Sequence, residues 1–122
     1  LVDYFFIDIK APLKWEEYRK AIGVNDKKLF ENLKKSIDIL KNSDFDYEFR
    51  TTVVPGLIEK EELIEISDQI KKKTDNYYIQ QFTTKNTLVE KYEKFDPIPE
   101  EDLLEVRDKI KDNFEKCEVR NL

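Results

Sequence analysis

Short runs rich in aromatic and β-branched residues alternate along this chain with segments whose apolar residues recur at helical spacing. The runs are Tyr4 to Ile9, Phe45 to Val54 and Asn76 to Phe82, and Lys116 to Arg120 would be a last short strand. Pro12 cannot continue a ladder and ends the first near Ala11; Pro55-Gly56 ends the second. Between them, Trp15, Tyr18, Ala21 and Ile22 predict a short helix closed by Gly23. Leu29, Phe30, Leu33, Ile37 and Leu40 predict one face of a longer helix capped by Asn25 or Asp26. Leu63, Ile66 and Ile70, with Ile64 beside them, predict a helix from about Glu59 to Lys73, which the run Lys71-Lys72-Lys73 would close. Leu103, Val106, Ile110 and Phe114 predict another, with Pro99 just inside its start and Glu100, Glu101 and Asp102 in its first turn. Leu88 to Phe95 fits one helical turn after a polar loop. Strands separated by helices imply parallel pairing through right-handed crossovers. The expected class is therefore α/β, four parallel strands alternating with helices in a single partial domain over residues 1–122.

Side chains alternate across a strand, and the alternation carries chemistry here. Phe5, Ile7 and Ile9 share one face of the first strand, while Phe6, Asp8 and Lys10 share the other. A strand covered on both sides should be apolar on both, yet an acid and a base stand at the carboxyl end, where α/β proteins place ligands. In the second strand Tyr47, Phe49, Thr51 and Val53 oppose Glu48, Arg50, Thr52 and Val54, and the third ends in Gln80-Gln81. Three strands expected to be buried thus carry polar residues on one face. In a barrel that face is the lumen, and a wet, ligand-lined lumen explains what a dry core does not. The plain alternative for Asp8 and Lys10 is an internal ion pair or a solvated strand end; for Glu48 it is an ion pair with Arg50 or Lys10.

Composition removes several classes of function. Net charge is −5 with no basic block, so neither nucleic acid nor an anionic membrane surface is an expected partner. No apolar run approaches the roughly 20 residues of a membrane span. One cysteine permits no internal disulfide, which makes a reducing cytoplasm the expected compartment. With no histidine and a single cysteine, most metal sites and imidazole-based triads are out of reach, so no metal ligand and no catalytic side chain is assigned. The chain has no methionine and opens within two residues of a strand, so a fragment of a longer protein is expected.

Three segments in order, Asp8-Ile9-Lys10-Ala11-Pro12, then Tyr47-Glu48-Phe49-Arg50-Thr51-Thr52-Val53-Val54-Pro55-Gly56, then Tyr78-Ile79-Gln80-Gln81-Phe82, resemble the C-terminal half of radical S-adenosylmethionine activases. The likeness is nearest to anaerobic ribonucleoside-triphosphate reductase activating proteins and more distant to pyruvate formate-lyase activating enzymes. The resemblance implies a partial (β/α)6 barrel, of which this chain would supply the fourth to sixth strands plus a terminal helix and strand. It also implies that Lys10 meets the methionine carboxylate of S-adenosylmethionine and that Asp8 orients the ligand, a bound monovalent cation being one route. Arg50 would sit in the same lumen as a cofactor or partner contact, joined by whichever of Gln80 and Gln81 faces inward.

Departures from that family are equally specific. Its cluster motif, Cys-x-x-x-Cys-x-x-Cys, is absent, as is the Gly-Gly-Glu stretch that holds the methionine amine. Cys117 is expected to be a buried strand residue. A 4Fe–4S cluster needs thiolate ligands, so it would belong to the full-length protein and not to this chain. What the resemblance implies is one part of an enzyme that reductively cleaves S-adenosylmethionine to place a glycyl radical on a partner such as anaerobic ribonucleotide reductase. The partners it implies are that enzyme and the missing N-terminal half of the barrel, and the isolated chain is expected to be inactive. The rival reading is a non-catalytic half-barrel that self-associates through its sheet edges. A flavodoxin-like phosphate binder would want a glycine-rich turn where Ala11-Pro12 stands.

Overall fold

The computed structural model describes residues 4–23, 26–54, 58–81 and 98–120. Four parallel strands, β1 (Tyr4–Asp8), β2 (Asp46–Val53), β3 (Asn76–Gln81) and β4 (Lys116–Arg120), lie side by side in chain order. Between β1 and β2 come α1 (Trp15–Ile22) and α2 (Lys27–Lys41); α3 (Lys60–Ile70) joins β2 to β3; α4 (Glu100–Ile110) and a short 3-10 turn (Lys111–Asn113) precede β4. A parallel sheet whose strands keep chain order, with every crossover of one hand, gathers its helices on one face. The α/β expectation is met as an open four-stranded sheet.

Local chemistry explains where the elements begin and end. Gly23 sits at φ 72°, the left-handed conformation that closes α1, and its N–H donates to the Arg19 carbonyl. Asp26 caps α2 by accepting from the N–H groups of Lys28 and Leu29. Glu59 and Glu62 form a reciprocal capping box at the start of α3. Pro99 is the N-cap of α4 and not its first helical residue, and the acids at 100–102 fill the first turn as expected. The third helix stops at Ile70, short of the lysine run. Lys72 instead reaches across to the carbonyl of Lys41, the last residue of α2, while Lys41 donates to the carbonyl of Ile70, the last residue of α3. Each lysine therefore satisfies an orphan carbonyl at the other helix's end.

The core lies between the helices and one face of the sheet. Phe49, Val53, Tyr77 and Ile79 point into it from the strands, and Leu63, Ile66, Ile70, Leu103, Val106 and Ile110 from α3 and α4, all essentially without solvent contact. Burying one such isoleucine contributes roughly 1.5–3 kcal/mol. Thr51, polar in a dry core, accepts the hydroxyl proton of Tyr77 at 2.7 Å. At the amino end of the strands, Tyr47 donates to the buried Asp75 carboxylate at 2.6 Å. Leu29, expected on the buried face of α2, is exposed, and the buried stripe runs through Phe30 and Ile37.

The first strand departs most from expectation. Its residues read as a buried strand, but Tyr4, Phe5 and Phe6 are all at least 40% exposed. The cause is position: among the described residues β2 alone lies beside β1, and the core reaches only Ile7 and Ile9 of this strand. Phe5 recovers part of its contact edge-on against Phe45, itself exposed, at 5.4 Å. Pro55-Gly56, Phe82 and the segment 88–95 lie outside the described residues.

Candidate functional site

The register sets the polar residues of neighbouring strands in rows across the face turned away from the core. Phe6 lies opposite Glu48; Asp8 lies opposite Arg50, and Arg50 opposite Tyr78; Thr52 lies opposite Gln80, and Gln80 opposite Arg120. These rows follow from the period-2 alternation that puts Phe49, Thr51 and Val53 into the core. Among the described residues no helix packs over this face, and Asp8 and Thr52 are exposed on it.

Glu48 is the centre of the arrangement. It is 5% exposed, and a carboxylate so placed needs partners. Tyr4 donates its hydroxyl to Oε1 at 2.6 Å, and Arg120 Nη1 donates to Oε2 at 3.2 Å from the far edge of the sheet. Arg50 Nε stands 3.9 Å from the same Oε2 and 3.4 Å from Asp8 Oδ1. Burial, followed by the hydrogen bond to Glu48, pushes the Tyr4 phenol up to about 12. Both guanidiniums lie over aromatic rings, Arg50 3.8 Å from the Phe6 centroid and Arg120 3.5 Å from that of Tyr78. Such stacking holds the plane of a guanidinium while leaving its rim of N–H donors open. Arg50 Nε is buried without a hydrogen-bond partner, since its two carboxylate neighbours are ionic contacts only.

Of the residues singled out in the sequence, Asp8, Arg50 and Gln80 fall on this one face. Gln80 Oε1 accepts from Thr52 at 3.3 Å, whereas Gln81 turns to the other side and donates to the carbonyl of Ile98. Lys10 follows the strand end, exposed, with Ile9 buried beside it. The ion pair expected for Glu48 forms with Arg50, joined by Arg120 and not by Lys10, and Asp8 also pairs with Arg50. Sequence reasoning missed Tyr4, Tyr78 and Arg120. The signal was available for Arg120 in the alternation of β4, where Lys116, Glu118 and Arg120 share a side opposite the buried Cys117.

Cys117 is buried, and burial pushes its thiol up to about 12. A cluster ligand must be a thiolate, so this side chain does not fit an iron–sulfur site. Glu59, Glu61 and Glu62 bring their carboxylate oxygens within 4.8 Å of one another at the start of α3, where the capping box and the helix dipole already account for them. No helix among the described residues is long and apolar enough to cross a membrane.

The chain is 31% identical over 112 residues to a protein of Methanocaldococcus jannaschii that is named, provisionally, a glycyl-radical enzyme activating enzyme. The match takes in 90% of this chain and 45% of that protein, so the chain spans about half the length of the curated relative it matches. No family model matches the chain, and no solved structure matches it.

Proposed function

We propose that this chain is the cofactor-positioning C-terminal part of a radical S-adenosylmethionine activase that acts on a glycyl-radical enzyme such as anaerobic ribonucleotide reductase. What supports the reading is the juxtaposition of Asp8, Arg50 and Gln80 on one uncovered face of a parallel sheet, near its carboxyl end, in a chain similar to a protein of that named activity. A ligand carrying a carboxylate and a sulfonium fits such a face. Asp8, 46% exposed at its side chain, offers negative charge, and the unsatisfied Arg50 Nε reports a donor set with capacity to spare. S-adenosylmethionine, when bound, supplies the hydrogen-abstracting chemistry. In this reading Lys10 takes the methionine carboxylate, Asp8 orients the ligand, and Arg50 and Gln80 contact the cofactor or the partner. The aromatic rings of Phe6 and Tyr78 hold the planes of Arg50 and Arg120 beside them. A cluster would be held by residues outside this chain.

The free edge of β1 favours a second reading, in which the sheet completes itself against another copy. Tyr4 and Phe6 are 49% and 57% exposed along a strand whose outer edge has no partner among the described residues. The two readings separate on the full-length gene product purified without oxygen. The activase reading expects a longer chain with about four irons per 4Fe–4S cluster, S-adenosylmethionine cleavage under reduction, and weaker cofactor binding by Asp8→Ala and Lys10→Ala. An iron-free, inert product of this same size, sedimenting as a dimer that Phe6→Lys dissociates, would overturn it and establish the second.

A further inference from the structure

The geometry points to Arg120 as a second ligand-binding arginine: with Arg50 it forms a two-guanidinium seat for an oxyanion, a carboxylate or a phosphate, on the uncovered face, and Glu48 is the residue that positions both. This deepens the proposed function, on which its biological ligand rests, but the seat itself follows from the side chains alone.

Both guanidiniums approach the same Glu48 oxygen, one from the strand beside the β1 edge and one from β4. They are therefore neighbours, although they stand 70 positions apart in sequence. Two like charges side by side repel unless an anion lies between them, and Glu48 is that anion. Its capacity is largely used, with Oε1 taken by Tyr4 and Oε2 by Arg120. The guanidiniums are not used up. Each carries a planar fork of donors, and of the two forks only Arg120 Nη1 makes a hydrogen bond among the described residues. Stacking on Phe6 and Tyr78 fixes the planes, so the free donors keep their direction. Side-chain exposures of 20% for Arg50 and 39% for Arg120 leave both reachable from solvent. Planar, pre-oriented and partly desolvated donors are what bidentate recognition of a carboxylate or phosphate requires. Asp8 and Glu48 balance the charge of the pair, so the seat selects by hydrogen-bond direction more than by net attraction.

The alternative is that Arg120 only pins the last strand to the sheet through Glu48. The test uses the full-length protein, titrated at constant ionic strength with inorganic phosphate and, separately, with acetate, while the arginine Nε–Hε resonances are followed by NMR. The seat predicts saturable shifts of Arg50 and Arg120 with one common midpoint. Arg120→Lys keeps the charge and the pin but loses the fork, and should weaken binding about tenfold, the equivalent of one charge-assisted hydrogen bond. Glu48→Gln should weaken it while making the two resonances respond independently. Saturation by phosphate alone assigns a phosphate-bearing ligand, and saturation by acetate alone a carboxylate. Shifts that stay linear in both salts, or an Arg120→Lys protein that binds as the parent does, would overturn the seat. S-adenosylmethionine binding is measured in parallel: if it persists while the arginines stay silent, only the seat falls, and if it is absent while the arginines respond, the activase reading falls and the seat stands.

Discussion

Replacing Glu48 by alanine should destabilise the protein by about 2–3 kcal/mol, mostly through one bond. The Tyr4 hydroxyl reaches Glu48 at 2.6 Å, and a hydrogen bond to a charged group contributes about 1.5–3 kcal/mol net. Tyr4 is half exposed, which argues for the lower end of that range. The Arg120 pair at 3.2 Å involves a side chain 39% exposed, so solvent screening holds it below about 1 kcal/mol. Arg50, 3.9 Å away with no hydrogen bond, adds little. A loss of this size should lower Tm by about 10 °C in a domain of this length. The assay is urea unfolding in a cycle with Tyr4→Phe, where the coupling between positions 4 and 48 should be about 1.5 kcal/mol. Glu48→Gln should cost roughly 1 kcal/mol, because an amide oxygen can still accept from Tyr4 while its charge is gone. A Glu48→Ala cost below about 0.5 kcal/mol, or a Tyr4→Phe cost that is unchanged when Glu48 is absent, would refute the assignment of Glu48 as the organising group of this face.

Other consequences test other parts of the molecule. Cys117 is held protonated by burial, from an ordinary value of 9.0 up to about 12, so its contribution is present below pH 9 and lost as pH rises toward 12. Stability should fall by about 1.4 kcal/mol per pH unit from this group across that window; a Cys117→Val protein followed by urea unfolding at pH 8 and above should show a shallower fall. Gly23→Ala should cost about 1 kcal/mol from the positive φ alone, as no atom lies within 4 Å of the added carbon, and Gly23→Asn should cost less. Asp26→Ala, which leaves the Lys28 and Leu29 N–H groups without their acceptor, should cost about 1 kcal/mol by thermal melting. Tyr47→Phe strips the buried Asp75 carboxylate of its 2.6 Å donor and should cost about 2 kcal/mol. An unchanged midpoint in that variant would mean that Asp75 finds another partner.

Much of the fold was legible because its signals are local. Helix caps at Gly23 and Asp26, the apolar stripes of α3 and α4 and the β4 strand over residues 116–120 each need only the period of a few neighbouring side chains. The alternation in β2 likewise told the core side, Phe49 and Val53, from the polar side, Glu48 and Arg50. Aromatic content misled in β1, because a strand's own residues say nothing of how many neighbours it will have, and Tyr4 and Phe6 are exposed at an edge. For Lys10, what lies beyond the strand end is set by the turn that follows and not by parity.

By itself, then, the sequence determined which segments are strands and helices, that the strands run parallel, and which side of β2 is polar, since all three follow from side-chain period and from connection length. Only the tertiary structure decided that β1 has β2 alone beside it among the described residues, that Gln80 and not Gln81 joins Asp8 and Arg50, and that Arg120 meets Glu48. Those depend on the register between strands far apart in the chain, and register is fixed by the packing of every element at once and not by the pattern within any one of them.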